Sequence, residues 1–483
     1  MCLLGAGWFG SNFFWAFYSG PMPLFLNGFT ESKFEISLVL GLAGVASCIV
    51  PPVVGYMSDR ASARFGRRKP FVVAGVLGVS LCLLVLPHLG TFGLVAFLSA
   101  ILYICIAAAE TPLFALLPDI TPVEQRSTAS GIVHLLGSVG LIIFFSISSV
   151  LWDAHPNAVF RMVAAVTFGA MMVVVLLVQE PPGGRANPGR EFRPLAYLKS
   201  IRDETQALKY FVAQFFWWLG FYMIASFMTL FVVEELGVSE GKSQYVPMAL
   251  TVVATVAMFP LGVLGDRVGR KKLLTAMIAF WAVMGLLIGL SRTLPHAIVA
   301  VGLTGIPFAA ILGVGYAYML DLIPRERTAE FVGFSIISIS APMVLGTVLA
   351  GKLIDIMGFR PLFPVASLMM CIALVVLQFT CSVVLIISTI VISGQRRYIQ
   401  SQKLGFDNEH IIYFPLSNIG DKYEILKNEL NRQPDILEVA VSHYLPTAGS
   451  PRSGDIQWEG QENNRISAIY KYVDTDYLDI LNT

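Results

Sequence analysis

Long apolar stretches, separated by short polar loops, occupy most of the chain from residue 7 to residue 380. A helix needs about 20 apolar residues to cross the ~30 Å hydrocarbon core of a bilayer. Stretches of about this length, numbered here as spans one to twelve, lie at 7–27, 36–57, 70–87, 93–117, 129–151, 159–178, 210–233, 245–264, 273–290, 295–319, 331–354 and 361–380. The pattern therefore predicts an all-α membrane protein with twelve transmembrane helices.

Lysine and arginine are distributed unevenly between the loops that join these spans. With the N-terminus in the cytoplasm, the inward-facing loops carry 18 of them and the outward-facing loops carry six. Cytoplasmic loops of membrane proteins are enriched in positive charge, so a cytoplasmic N-terminus is predicted. The expected location is the cell membrane, which in a bacterium is the inner membrane.

Two polar motifs occur twice, in the same order. GYMSDRASARFGRRKP follows span two and GVLGDRVGRKK follows span eight, and Asp59 and Asp266 are 207 residues apart. DITPVEQR follows span four and DLIPRER follows span ten, and Asp119 and Asp321 are 202 residues apart. Motifs that recur in order at nearly one interval indicate a chain built from two similar halves.

The longest polar stretch, residues 180–209, divides the spans six and six. We therefore expect an N-terminal half at 1–179, a central cytoplasmic loop at 180–209 and a C-terminal half at 210–380. Parallel repeats with a binding site near the membrane midplane, between the halves, are typical of alternating-access transporters.

The first loop motif also resembles a known family. The pattern G-x-x-x-D-R-x-x-x-x-x-G-R-R, from Gly55 to Arg68, is similar to the loop 2–3 signature of the major facilitator superfamily, and GDRVGRKK resembles its second-half copy. The longer string SDRASARFGRRKPF, with QFFWWLGFY at 214–222, resembles the sucrose-proton symporters and the glycoside-pentoside-hexuronide:cation symporters. The resemblance implies a major facilitator fold and secondary active transport of a sugar or glycoside with a proton or another cation.

The loop motif has a physical interpretation of its own. A carboxylate at Asp59, at the end of span two, can accept hydrogen bonds from the N–H groups that begin a neighbouring helix and can pair with an arginine. Such a contact would hold the halves in the outward-open state as a latch. The alternative is a solvated basic loop that only orients the helices. The predicted latch residues are Gly55, Asp59, Arg60, Gly66, Arg67, Arg68, Asp119, Arg126, Asp266, Arg267, Gly269, Arg270, Asp321 and Arg327.

Two ionisable residues are predicted inside spans of the first half. Glu110 in span four lies nine residues before Asp119, about 13 Å from the membrane boundary. A bare carboxylate there is costly, so it must be protonated, paired or in contact with water, which suits a proton carrier. A permanently neutral, hydrogen-bonded Glu110 is the alternative. The sugar symporters that the chain resembles also carry a carboxylate in this span. His134 in span five is a second coupling candidate, although a structural hydrogen-bond donor is the commoner role.

Aromatic and amide side chains cluster in spans one, seven and ten. Aromatic faces stack on the C–H faces of a sugar ring, and amides and hydroxyls pair with its hydroxyl groups. Aromatic residues near span ends are alternatively interfacial anchors. The predicted substrate-binding residues are Asn12, Trp15, Tyr18, Gln214, Trp218, Tyr222 and Tyr316.

The composition agrees with a membrane protein and narrows the function. Apolar residues make up 55% of the chain and charged residues 13%, which argues against a soluble enzyme. A net charge of +1, without basic clusters interleaved with aromatic residues, argues against nucleic-acid binding. The six cysteines form no CxxC pair, and no nucleotide-binding P-loop occurs. We therefore predict no catalytic residues, no metal site, no cofactor and no ATP-binding site; the expected partners are the solute, its coupling cation and the lipid bilayer.

The end of the chain differs from the rest. Residues 396–483 carry 22 charged residues in 88 positions, against 43 in the preceding 395. The sequence from about 375 resembles a membrane helix and the start of the extracytoplasmic core domain of MacB/FtsX-like ABC transporter permeases. We therefore expect residues 381–483 to be the end of a permease-like helix and a small soluble α+β segment, joined as a chimaera. An ordinary accessory domain is the alternative.

Two other functions are also compatible with the sequence. The loop motif indicates a mechanism and not a substrate, so an exporter or facilitator of another small metabolite fits it as well. A different class of function, a non-transporting permease-like fragment or interaction module, would apply if the C-terminal segment carried the activity.

Overall fold

The computed structural model describes residues 2–61, 66–122, 125–180, 204–323, 328–401, 411–416, 422–442, 452–456, 466–470 and 472–480. Helices account for nearly all of the described structure up to residue 401. The chain forms two compact units, Met1–Val383 and Val384–Thr483.

The described part of the first half of the larger unit contains seven α-helices. They are α1 (Cys2–Ser19), α2 (Pro21–Asn27), α3 (Lys33–Arg60), α4 (Lys69–Val85), α5 (Phe92–Ile120), α6 (Arg126–Ala154) and α7 (Pro156–Leu177), with a short 3₁₀ helix at Leu86–His88. Helical backbone satisfies its own N–H and C=O groups, which a segment in hydrocarbon requires.

Between residues 204 and 401, nine further α-helices are described, the last of which continues past Val383. They are α8 (Thr205–Ala225), α9 (Met228–Leu236), α10 (Glu240–Ser243), α11 (Tyr245–Val268), α12 (Arg270–Gly289), α13 (Leu294–Ala310), α14 (Tyr316–Leu322), α15 (Thr328–Met357) and α16 (Leu362–Ser401). Helices α13 and α14 are joined by a π-helical turn at Ile311–Gly315.

Helices cover nearly all of each of the twelve predicted stretches, but not every stretch is a long, straight span. Among the described residues, nine helices are long and apolar enough to cross a membrane, or ten if the bent pair α8 and α9 counts as one span. Span one is divided between α1 and α2, and span twelve lies within the 40-residue helix α16. The described part of the chain therefore contains nine or ten helices that are long and apolar enough to cross a membrane, and twelve crossings remain a prediction.

The breaks in spans one and seven occur at equivalent places. The first lies at Gly20, between α1 and α2, and the second at Ser226 and Phe227, where α8 and α9 bend by 41°. The break leaves the Gly20 carbonyl outside a regular helix, and the Thr229 hydroxyl donates a 3.1 Å hydrogen bond to it. This hydrogen bond joins the two halves. It gives the Gly20 carbonyl a donor, which lipid could not provide.

Small residues allow the helices to pack closely. A Cβ atom at Gly75 would lie 2.7 Å from the backbone nitrogen of Ala109, and one at Gly305 would lie 2.8 Å from that of Ala254. Such positions are typical of helix interfaces in membranes. Large apolar side chains such as Phe97, Val256 and Phe259 are exposed, as expected of a surface that faces lipid.

The two ends of the helix bundle are named here by their loops. The motif end carries the segments around Gly66 and Gly269, between α3 and α4 and between α11 and α12. The far end carries the opposite helix termini, including Ser32 and Ser239.

The smaller unit has its own secondary structure. Its described part contains α17 (Tyr423–Asn431), an antiparallel pair of strands β1 (Arg452–Ile456) and β2 (Ile466–Tyr470), and α18 (Tyr477–Ile480). Asp474 accepts hydrogen bonds of 2.7 Å from both the Tyr423 hydroxyl and the Lys427 ammonium, which joins α17 to the segment before α18.

Candidate functional site

Glu110 is a buried carboxyl in the middle of α5. Ser11 and Trp15, one turn apart on α1, present their polar atoms on the same face of that helix. The Ser11 hydroxyl and the Trp15 indole Nε1, the latter at 2.8 Å, both donate to Oε1 of Glu110. The acid that the sequence predicted therefore lies against the predicted binding residue Trp15, together with Ser11, which was not predicted.

Aromatic rings extend this cluster through the first half. The Trp15 ring packs edge-on against Tyr18 at 5.3 Å, and Tyr18 packs in the same way against Tyr103 at 5.7 Å. The Tyr18 hydroxyl donates to the Leu40 carbonyl at 3.0 Å. Tyr18 is buried and Trp15 partly exposed, so Trp15 is the more accessible of the two rings.

The second half contains a matching aromatic cluster. Trp218 stacks on Tyr222 with ring centroids 5.7 Å apart, and Phe308 packs edge-on against Trp218. The buried Nε1 atoms of Trp217 and Trp218 have no hydrogen-bond partner among the described residues. Tyr222 also packs against the core cluster that contains Tyr18, so it links the clusters of the two halves.

Equivalent positions in the two halves carry different chemistry. Ser11 and Trp218 are 207 residues apart, as are Trp15 and Tyr222. This is the interval that separates Asp59 from Asp266 in the repeated loop motifs. Ser11 and Trp15 bind the Glu110 carboxyl in the first half. The equivalent residues of the second half, Trp218 and Tyr222, form a stacked aromatic pair.

Gln214 is buried one turn before Trp218. Its Oε1 accepts hydrogen bonds from Ser338 at 2.7 Å and Ser335 at 3.2 Å, both on α15. The predicted binding residue therefore joins α8 to α15. The sequence does not predict these two serines, because a single hydroxyl in an apolar helix gives no indication of the residue with which it forms a hydrogen bond.

The remaining predicted binding and coupling residues lie apart from these contacts. The Asn12 amide donates to the Trp8 carbonyl of its own helix at 2.9 Å. His134 is exposed on α6. Tyr316 is 50% exposed at the start of α14, towards the motif end. None of these three contacts the Glu110 carboxyl in the described structure.

At the motif end, Asp119 and Glu180 hold the first loop motif. The Asp119 carboxylate pairs with Arg67 at 3.0 Å and with Arg68 at 2.9 Å. Glu180 accepts hydrogen bonds from the backbone N–H groups of Arg67 at 2.8 Å, Lys69 at 3.0 Å and Arg68 at 3.2 Å. These N–H groups begin α4, where a negative charge is favourable. Glu180 thus makes the type of contact that was predicted for Asp59.

The second copy of the motif forms a similar ion cluster. Arg270 lies 3.0 Å from Asp266 and 2.9 Å from Asp321. The motif glycines, Gly66 and Gly269, both have a φ of 102°, which side-chain-bearing residues rarely adopt. The glycine of each motif therefore allows the turn into the next helix.

Each of these motif-end contacts joins residues of one half, or, at Glu180, residues of the first half and the start of the central loop. They fix the loop to its own half and do not bridge the halves. Among the other predicted latch residues, Gly55 lies within α3, Arg267 is exposed, and the Arg60 guanidinium lies 3.8 Å from the centre of the Tyr56 ring. The side chains of Asp59 and Arg126, and the whole of Arg327, lie outside the described residues.

No metal-binding arrangement accompanies these residues. Within the described part of the chain, no group of three or more His, Cys, Asp or Glu side chains is placed to hold a metal ion. The chemistry available at the buried site is that of one carboxyl, its two donors and the aromatic faces.

Two named proteins resemble parts of the chain. It is 24% identical over 374 residues to solute carrier family 45 member 3 of Macaca fascicularis, a match that covers 63% of this chain and 66% of that protein. It is 32% identical over 130 residues to the sucrose transport protein SUC4 of Arabidopsis thaliana, covering 23% and 26%. The chain therefore spans about two thirds of the first relative and about a quarter of the second.

Solved structures share the fold. The structure of a bacterial homologue of the human lysosomal transporter Spinster, in an inward-facing and occupied conformation, matches with a TM-score of 0.62 at 15% identity. The match covers 79% of this chain and 95% of that structure.

The sequence model of the Major Facilitator Superfamily matches residues 4–258 and 210–384. The predicted superfamily resemblance is thus confirmed, whereas the permease resemblance, which begins near residue 375, lies almost wholly beyond the match and stays a prediction. The chain belongs to the Major Facilitator Superfamily and is a multi-pass membrane protein.

Proposed function

We propose that the protein is a secondary active transporter that carries a sugar or glycoside together with a proton by alternating access. The relative that is named a sucrose transport protein supports the substrate class. The observation that carries the proposal is the buried Glu110 carboxyl, held by Ser11 and Trp15 at positions whose second-half equivalents form an aromatic stack.

The proposed architecture has twelve crossings in two six-helix halves, with a cytoplasmic N-terminus. The repeated intervals of 207 and 202 residues support the division into halves. The excess of positive charge at the motif end supports the orientation, since that end then faces the cytoplasm.

Glu110 is the proposed proton carrier. Both donors use Oε1, so a proton can bind Oε2 without breaking either hydrogen bond. When the proton leaves, the same donors stabilise the carboxylate, which would otherwise be costly at this depth. Proton exchange therefore changes the charge of the site while its geometry is kept.

The aromatic pair of the second half is the proposed sugar platform. Stacking on Trp218 and Tyr222 would cover a C–H face of the ring, and the unpartnered indole N–H of Trp218 would donate to a hydroxyl. A solute that contacts this pair and the Trp15–Glu110 cluster touches both halves. Such a solute couples its own binding to the movement of the halves.

Uptake by proteoliposomes tests the proposal. Labelled sucrose, glucose and uridine would be offered to vesicles that contain the purified full-length protein, with the outside made more acidic than the inside. We expect a sugar, but not the nucleoside, to accumulate above its external concentration, and a protonophore to abolish the accumulation. Uptake of uridine alone would contradict the substrate class, and accumulation insensitive to the protonophore would contradict proton symport.

A further inference from the structure

At the far end of the bundle, an aspartate of the second half caps a helix of the first. Asp355, near the end of α15, accepts the backbone N–H of Lys33 on Oδ1 at 2.7 Å and that of Phe34 on Oδ2 at 3.0 Å. The Ser32 hydroxyl donates to the same Oδ2 at 2.7 Å. Ser32 is itself the residue that caps α3, since its oxygen accepts the N–H of Glu35.

An aspartate of the first half makes the reciprocal contact. Asp153, near the end of α6, accepts the backbone N–H of Gly241 on Oδ1 at 2.7 Å. The Ser239 hydroxyl donates to its Oδ2 at 2.8 Å. Ser239 caps α10 by accepting the N–H of Lys242, so this arrangement repeats the one at Ser32.

The two caps follow the intervals of the internal repeat. Ser32 and Ser239 are 207 residues apart, and Asp153 and Asp355 are 202 residues apart. These are the intervals of the two loop motifs at the opposite end of the bundle. Each cap therefore has its counterpart in the other half, and each joins one half to the other.

Close packing and further polar contacts surround both caps. A Cβ atom at Gly351 would collide with the Lys33 carbonyl, and one at Gly241 with the Ser149 carbonyl, so the helices approach closely beside each cap. The buried ammonium of Lys33 pairs with Glu234 of the second half at 2.7 Å. Beside it lies a cavity of 440 Å³, lined by residues of both halves, including Asn27, Glu31 and Phe359.

We propose that the pairs Ser32–Asp355 and Ser239–Asp153 form a two-fold latch, the far-end latch, that keeps this end of the transporter shut. The inference rests on the proposed alternating access. Opening the far end separates each aspartate from the helix start that it caps, so both caps must break together. Their combined strength sets the balance between the far-end-closed and far-end-open states.

Distance measurements between the halves test the latch without any solute. Thr91 and Thr293 are exposed far-end residues, one in each half and 202 residues apart. Spin labels attached through a noncanonical amino acid at these positions leave the native cysteines untouched. In the full-length protein in nanodiscs, the label distance should lengthen when the far end opens.

Neutralising the aspartates should open the far end. Asp153→Asn or Asp355→Asn alone should raise the ratio of open to closed protein roughly tenfold, and the double variant roughly a hundredfold. Glu234→Gln should act in the same direction, because it removes the opposite charge that pairs with Lys33 across the two halves. The matched control is Glu235→Gln: Glu235 pairs with Arg360 inside the second half at 3.1 Å, so its loss should leave the distances unchanged.

An unchanged distance distribution in the double variant would overturn the latch, as would an equal shift in the Glu235→Gln control. If the double variant does not fold, the variant that combines Ser32→Ala with Ser239→Ala replaces it. We expect a smaller shift in the same direction, and the absence of any shift would contradict the proposal. Because no solute is needed, shifted distances in a protein that takes up no sugar would support the latch and contradict only the proposed sugar substrate.

Discussion

The indole of Trp15 and the carboxyl of Glu110 are joined by a 2.8 Å hydrogen bond between spans one and four. Ser11, one turn away on the same helix, donates to the same oxygen. A change of charge on Glu110 therefore acts first on α1. This helix ends at the break at Gly20, where the Gly20 carbonyl accepts a hydrogen bond from Thr229 of the second half.

Glu110→Gln removes the ionisable group and keeps its size. We expect accumulation driven by a pH gradient to fall at least tenfold, roughly to the level of passive equilibration, because the site can no longer cycle a proton. Counterflow exchange of labelled for unlabelled solute should persist, since it needs no net protonation. Gradient-driven accumulation at the wild-type level would exclude Glu110 as the carrier, and Glu35→Gln, at an exposed carboxylate of the far end, serves as the control.

Trp218→Phe keeps a ring but removes the unpartnered indole N–H. If that group binds a sugar hydroxyl, the KM should rise roughly fivefold to tenfold, the loss expected for one hydrogen bond, with kcat little changed. The neighbouring Trp217 provides a matched control, because it is buried against Tyr210 within the second half. Equal effects of Trp217→Phe and Trp218→Phe on the KM would contradict the proposed platform.

Glu180→Gln weakens the cap at the start of α4. The carboxylate accepts three backbone N–H groups there, so its neutralisation should lower the free energy of unfolding by about 1 kcal/mol. Thermal unfolding of the detergent-solubilised protein measures this change. An unaltered unfolding temperature would mean that the contact contributes little to stability.

The sequence predicts the parts of the structure that depend on local pattern. Apolar length predicts the helices, and the repeated motifs predict that Arg67, Arg68 and Asp119 belong to one set of loop residues. The arginine partner was predicted for Asp59, whereas the structure pairs both arginines with Asp119. Glu180 escapes such reasoning because its partners are backbone N–H groups, which have no sequence signature. The same holds for Ser11 and for the far-end aspartates, whose partners lie 86 to 323 residues away in the chain.

Removal of the C-terminal segment should leave transport intact. The family match ends at residue 384 and the larger compact unit at Val383, so a chain shortened at Gly394 keeps both proposed halves. We expect sugar uptake within about twofold of the full-length rate, because the segment supplies none of the proposed site residues. Loss of uptake, with the shortened protein still folded, would show that the segment is a working part.

Lys427→Met should loosen the C-terminal segment locally. Hydrogen bonds with Asp474 and Asp476 raise the pKa of Lys427, and the same ammonium lowers the pKa of Asp474 below its ordinary range. A lowered carboxyl pKa stabilises the folded form above pH ~4, and that stabilisation is lost as the pH falls further. Hydrogen exchange in α17 at pH 7 should therefore become roughly twofold to fivefold faster.

Arg432→Met serves as the control for that experiment, because Arg432 pairs with Glu429 in an exposed position of the same helix. In the wild-type protein the same protection should be lost progressively as the pH falls below 4, with each exchange rate compared to the intrinsic rate at that pH. If the two substitutions change exchange equally, the Lys427 cluster has no special role.

The π-helical turn at Ile311–Gly315 makes the two halves unequal. The equivalent helix α5 is regular and, like the stretch from Leu294 to Leu322, contains 29 residues. The Tyr210 hydroxyl donates to the Gly315 carbonyl at 2.9 Å and so stabilises the wider turn. Two identical parallel halves would be related by a two-fold axis along the membrane normal and would bend alike. A turn of different pitch in one half removes that symmetry, so one half can bend at a point where the other is regular, and natural selection can adjust that difference at a single helix.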